Sequence, residues 1–150
     1  MDITTFEQIF KKASYKLENE KYIDYSEEEL KEEFRELLEE AIGRFDKCYD
    51  KNRIVDYDME IISPALTIKE LKITTDLMVS SCIKRSISKI VSFGDGIQLT
   101  TSDYKTFSQA NMLQQKQEAY RSLKSDIETQ MLEYGSQKAI SFLNKKVGVE

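Results

Sequence analysis

Two groups of residues with carboxylate or amide side chains have the composition of cation ligands, so they are the first places where this sequence could do chemistry. Carboxylates at helical spacing can share a divalent ion, and seven such residues are Glu27, Glu28, Glu32, Glu33, Glu36, Glu39 and Glu40. A second group resembles a scrambled calcium-binding loop and consists of Asp46, Asp50, Asn52, Asp56 and Asp58. Ile54 and Val55 stand where that loop needs a ligand and a glycine. We interpret the glutamates as a solvated helix face and the second group as a polar loop, and we predict no bound metal.

Nucleophilic catalysis and cofactor binding find no support in the sequence. The chain has no histidine, which removes the commonest general base and the Ser-His and Cys-His pairs. Cys48 and Cys82 form no CxxC motif, so they predict neither a zinc site nor a disulfide scaffold and fit a reducing cytoplasm. Gly94 and Gly96 lack the third glycine of a phosphate-binding loop and predict only a turn. We therefore predict no enzyme activity and no cofactor.

Length, composition and charge limit the remaining classes. A chain of 150 residues can bury a substantial core as one domain. One proline and five glycines leave few residues for tight turns, which favours helices over a β-sandwich or barrel. The sequence shows neither a signal-peptide pattern nor a membrane-spanning apolar run. A net charge of −5 argues against a DNA-binding surface.

Four segments carry a capping box followed by an apolar stripe at helical spacing, which predicts an all-α fold with four main helices in a small bundle. The boxes are Thr4 with Glu7, Ser26 with Glu29, Thr67 with Glu70, and Thr106 with Gln109. The predicted helices span residues 4–17, 26–46, 67–92 and 106–134. The third is apolar almost all round near Leu77, so we expect it to be the central helix.

The segment 48–66 loses the helical period and is predicted to be a long loop. Val55, Tyr57, Met59 and Ile61 alternate with acidic residues, which indicates a short extended piece that could form a β pairing with residues 97–99. The segments 48–66 and 97–105 carry more apolar residues than connectors need. They predict contacts with other protein subunits, with Tyr57, Met59 and Tyr104 as partner-binding residues.

The C-terminal segment 136–150 is predicted to be a docking arm, separate from a helical domain over 1–135. Gly135 is expected to end the fourth helix, and a short helix over 136–146 would be marginal alone. Ile140, Phe142 and Leu143 are its predicted partner-binding residues, at the spacing of a helix laid into a groove. Its lysines make the segment locally basic, so we expect an acidic partner groove and ordering only on binding.

Three stretches also carry a resemblance to a known family. They are AIGRF at 41–45, LTIKEL at 66–71 running into LMV at 77–79, and SDYKTFSQAN at 102–111. The order of these blocks resembles the small all-helical head-tail connector, or neck adaptor, proteins of tailed bacteriophages, over about residues 5–135.

The resemblance implies a structural virion protein of the neck, assembled in the host cytoplasm. Identical subunits would form a ring that binds the portal protein, joins it to the tail or a second neck protein, and continues the DNA channel without catalysis or membrane contact. An acidic surface suits a conduit through which DNA passes without specific binding, and the glutamate face could line that channel or face outward. The alternative is a non-catalytic cytoplasmic all-helical interaction or regulatory module.

Overall fold

The protein was analysed as a computed structural model. It describes residues 2–17, 26–45, 53–96 and 103–148, with the side chains of all of these except 92–96 and 103–109. The elements in chain order are β1 (Thr4–Thr5), α1 (Phe6–Lys16), α2 (Glu27–Phe45), β2 (Ile54–Asp56), β3 (Ile61–Ser63), α3 (Ile68–Gly96) and α4 (Asp103–Val147). The predicted all-α fold with four main helices is confirmed, and a small sheet accompanies it.

Two of the predicted capping boxes open their helices as expected. At α2 the Glu29 N–H donates to Ser26 Oγ at 3.2 Å, and the Ser26 N–H donates to the Glu29 carboxylate at 2.9 Å. Thr67 and Glu70 form the same pair of hydrogen bonds at the start of α3. At α1 the prediction is wrong by one residue, because the box consists of Thr5 and Gln8. Thr4 lies in β1 instead, and its hydroxyl accepts a hydrogen bond from the Leu66 N–H at 2.8 Å.

The sheet has three antiparallel strands in the order β1-β3-β2. The single extended piece predicted over 55–61 is wrong, because the chain turns between β2 and β3 at residues 57–60. The Asp56 carboxylate stabilises this turn by accepting from the Asp58 and Met59 N–H groups, and Glu60 has a φ of 54°. β3 pairs with β1 on one edge and β2 on the other. The predicted pairing with residues 97–99 lies outside the described residues.

Both predicted glycine boundaries are wrong. α3 continues through residues 94–96, where a turn was expected. α4 starts at Asp103, so Thr106 and Gln109 lie inside it and do not cap it, and it runs through Gly135 to Val147. Compared with alanine, a glycine inside a helix lowers the stability of that helix by only about 1 kcal/mol. A helix end, in contrast, favours a residue with positive φ. In α4 that residue is Gly148, with a φ of 71°.

Replacing Gly135 tests this continuity. Gly135→Ala should raise the free energy of unfolding by about 0.5–1 kcal/mol, because alanine favours the helix and an added Cβ would meet no atom within 4 Å. Gly148→Ala is the control, and it should not stabilise because its φ of 71° disfavours a side chain. Urea unfolding measures both. A destabilised Gly135→Ala variant would mean that α4 ends where the sequence suggested.

α3 is the central helix, as predicted. α1, α2 and α4 all contact it, and ten consecutive residues, 73–82, are buried in it. Several of these are polar and bond to the neighbouring helices: Asp76 accepts from Lys16 of α1 and Gln130 of α4, and Ser81 donates to Glu40 of α2. Cys82 is buried in this run. Among the described residues, no helix has the length and apolarity that crossing a bilayer requires.

Candidate protein-docking surface

α4 packs on the core through only a few of its residues. Ile127 and Tyr134 are buried, and Leu123 and Met131 are half-buried on the same face. From 135 to 148 every side chain is exposed. Residues 136–148, which we call the arm, therefore extend from the core as a continuation of α4, about 18 Å long at 1.5 Å per residue. Whether the arm docks to a partner stays a prediction.

A buried polar cluster holds the base of the arm. Glu70 is 2% exposed, and its carboxylate accepts hydrogen bonds from Arg53 Nη2 and from the Tyr134 hydroxyl. The N–H and the hydroxyl of Thr67 donate to the same carboxylate, each at 2.8 Å. One turn beyond the cluster, Lys69 Nζ donates to Gln137 Oε1 at 2.7 Å. The start of α3, the chain before β2 and the base of the arm are thus tied together at one carboxylate.

This cluster makes the protein's stability depend on pH. Burial opposes the ionised form of Glu70, but the hydrogen bonds from Arg53, Tyr134 and Thr67 outweigh it and lower the pKa of this carboxyl below its ordinary value of 4.5. A carboxyl whose pKa is lower in the folded state stabilises the fold fully above the unfolded pKa. That stabilisation is lost as the pH falls through the folded pKa.

We therefore expect acid to weaken the fold through Glu70. Between about pH 6 and about pH 3 the native chain should lose more free energy of unfolding than a Glu70→Gln variant, which has no proton to gain there. Urea unfolding at several pH values measures the difference. Equal pH dependence in the two proteins would contradict the lowered pKa of Glu70.

From Leu132 into the arm, α4 carries an apolar stripe on the face opposite its core-facing side. At 100° per residue the stripe aligns its members on one side of the helix: Leu132, Ala139, Ile140, Leu143 and Val147. Leu132 is 73%, Ile140 58%, Leu143 57% and Val147 72% exposed. Earlier in α4 the same face is polar and exposed, with Arg121, Ser125, Glu128 and Thr129. We call the apolar part the arm stripe.

The six predicted partner-binding residues fall in three places. Ile140 and Leu143 belong to the arm stripe, and Phe142 is exposed on the flank of the arm, with Lys146 Nζ 5.2 Å from its ring centre. Met59 is exposed in the turn at residues 57–60 that joins β2 and β3, which we call the hairpin turn. Tyr57 is half-buried in the same turn. Tyr104 lies in the first turn of α4, and its side chain is outside the described residues.

Tyr57 packs inward more than its predicted role requires. Its ring meets the Phe6 ring edge-on at 5.8 Å, and the Arg35 guanidinium lies 5.6 Å from its centre. Arg35 also donates to the Tyr57 carbonyl at 3.0 Å. Burial and the charge of Glu39 raise the pKa of the Tyr57 hydroxyl. Its contacts therefore anchor the hairpin to α1 and α2.

No family model, no curated protein and no solved structure matches this chain. Among the described residues, four of the exposed large apolar side chains belong to the arm stripe: Leu132, Ile140, Leu143 and Val147.

Sequence reasoning missed three exposed apolar residues near the arm. Leu132 and Val147 extend the stripe beyond 136–146. The sequence pattern that could have revealed them is the helical spacing of apolar residues, which continues across Gly135. Ile68, at the start of α3, is 85% exposed. It lines a shallow groove together with Gln137 and Ser141 of the arm.

Of the seven α2 glutamates interpreted as a solvated face, six are exposed and Glu33 is half-buried. Arg85 of α3 contacts Glu33, Glu36 and Glu40 at 2.9, 3.3 and 3.5 Å. Burial works against the charge of Arg85, but these carboxylates raise its pKa overall. Among the described residues, no group of three or more acidic or thiol side chains is placed to hold a metal ion.

Proposed function

We propose that this protein is a non-catalytic structural subunit that assembles through its arm. In the form that the sequence resemblance favours, identical subunits make a ring on the portal protein of a tailed phage capsid. The ring joins the portal to the tail or a second neck protein and continues the DNA channel. The subunit is made in the host cytoplasm and ends in the neck of the virion.

One observation carries the proposal: the arm presents large apolar side chains to solvent along several helical turns. Such a patch on a water-exposed helix marks an interaction site. The arm continues a packed helix that Glu70 and Tyr134 fix at its base. The arm is already helical in the structure, which differs from the ordering on binding that the sequence predicts. A partner therefore binds a preorganised helix, and the loss of conformational entropy on binding is smaller.

The buried ionisable groups support a structural role. Glu70 bonds to Arg53 and Tyr134, and Asp76 bonds to Lys16 and Gln130. Each carboxylate thereby connects separate elements of the fold.

Binding to the portal protein encoded in the same genome tests the proposal. The purified chain should bind that portal, and replacing Ile140 and Leu143 together by serine should weaken binding at least about tenfold, because both side chains would lose their apolar contacts. Met112→Ser is the matched control, since Met112 is also exposed on α4 but lies outside the arm.

Sedimentation of the mixtures measures the binding. A native chain that does not bind the portal would contradict the connector role. If that chain were also a monomer or dimer, the result would favour the interaction or regulatory module.

A further inference from the structure

A groove between α1 and α2 has an apolar floor. Phe10, Leu30 and Phe34 contribute the apolar side chains, and the rings of Phe10 and Phe34 stack with their centres 5.5 Å apart. The other residues that line it are polar: Glu7, Lys11, Ser14, Glu27, Lys31 and Glu60. Lys31 and Glu60 pair with each other at 2.9 Å. We call this feature the α1–α2 groove.

The arm and the surroundings of this groove have opposite charge. The arm contains Lys138, Lys145 and Lys146 and no acidic residue. The adjoining surface of α2 carries Glu28, Glu32, Glu36 and Glu39 against Lys31 and Arg35. Opposite charges on two surfaces speed their encounter and select the partner.

We propose that the arm of one copy of this chain lies in the α1–α2 groove of a second copy. The inference rests on the proposed function, since it names the contact by which subunits would join. The stretch from Ile140 through Leu143 to Val147 covers eight residues, whose seven helical steps make about 10 Å along the arm. On α1 the groove runs from Glu7 to Ser14, also eight residues and about 10 Å. These three arm residues and the α1 side of the groove therefore match in length.

The two other ways of covering the arm fit the structure less well. The arm does not lie in the groove of its own chain, because every side chain from 136 to 148 is exposed. Each arm carries three lysines and no acidic residue, so pairing of two arms would bring two positively charged segments close together, which is unfavourable. A contact between arm and groove uses two different surfaces, so each copy can bind one neighbour on each side. Such contacts produce rings when the rotation closes.

Disulfide trapping between two differently labelled copies tests the contact. One variant carries Leu143→Cys and the other Ser14→Cys, both with Cys48→Ser, and they are mixed at up to about 1 mM total protein to capture even weak association. The mixture should form a disulfide-linked dimer of the two variants. Replacing Leu143→Cys by Met112→Cys, outside the arm, should abolish the product. A dimer that Leu143→Cys forms with itself would show that arms pair with arms and would overturn the inference.

Charge reversal gives a second readout by sedimentation velocity. Lys145→Glu with Lys146→Glu should weaken self-association about tenfold, and adding Glu7→Lys with Glu27→Lys to the same chain should restore most of it. Failure of both trapping and restoration would overturn the inference. If the chain with the four charge reversals still bound the portal protein, the proposed function would stand without this contact. If that chain also lost portal binding, the result would contradict both the inference and the proposed function.

Discussion

Glu70→Ala is expected to lower the free energy of unfolding by about 3–5 kcal/mol, because it removes the Glu70 carboxylate that pairs with the buried Arg53 guanidinium. The Arg53 side chain is only 10% exposed in its pair with Glu70. The same change removes the acceptor of the Tyr134 hydroxyl and half of the capping box of α3. It therefore weakens three connections at once. Urea unfolding at neutral pH measures the loss.

Two further variants show whether the loss of stability comes from the position of Glu70 or from the removal of any glutamate. Glu36→Ala removes an exposed glutamate of α2 and should leave the unfolding midpoint almost unchanged. Tyr134→Phe removes one hydrogen bond to the Glu70 carboxylate and should cost about 1.5–3 kcal/mol. If Glu70→Ala behaved like Glu36→Ala, the cluster would not hold the base of the arm.

Removing residues 136–150 is expected to abolish assembly while leaving the fold intact. Every described side chain of the arm is exposed, so the deletion takes no buried apolar surface from the core. Among the described residues, the main contact that the deletion removes is the hydrogen bond between Lys69 and Gln137. The thermal midpoint should therefore stay within about 3 °C of the native value, while the self-associated species disappears from sedimentation velocity.

A substituted chain separates the effect of the arm's length from that of its apolar side chains. A chain with Ile140, Leu143 and Val147 replaced by serine keeps the full arm, and it should lose assembly as completely as the truncated chain. If the truncated chain unfolded, the arm would be part of the core. If it still assembled, the interface would lie elsewhere, with the hairpin turn at Met59 the next surface to test.

The features predicted best from the sequence are those set by residues that are close together in the chain. The starts of α2 and α3 follow from capping boxes, in which a side chain three residues away satisfies a free N–H group. The central place of α3 follows from a run that is apolar on all sides. The start of α1 was missed by one residue because Thr4 pairs with Ile62, far away in the sequence. A strand pairing of that kind leaves no mark on the local pattern.

The base and the full extent of the candidate site could not be predicted in this way. Glu70 was found as a capping residue, but its partners Arg53 and Tyr134 lie 17 and 64 residues away. The packing of α4 on α3 brings Tyr134 to Glu70, and Arg53 reaches it from the chain before β2. The arm was predicted with its main apolar residues. Its continuity with α4 was missed because a glycine ends a helix only when its φ becomes positive, as at Gly148 and not at Gly135.

The most direct test of the central claim is the mass and shape of the particle that the chain forms with the portal protein of its genome. Native mass spectrometry with electron microscopy of the mixture gives both. The account predicts one closed ring with a fixed copy number above two, coaxial with the portal, and its loss when the arm stripe is replaced by serine. A chain that stays monomeric or dimeric and leaves the portal bare would contradict it.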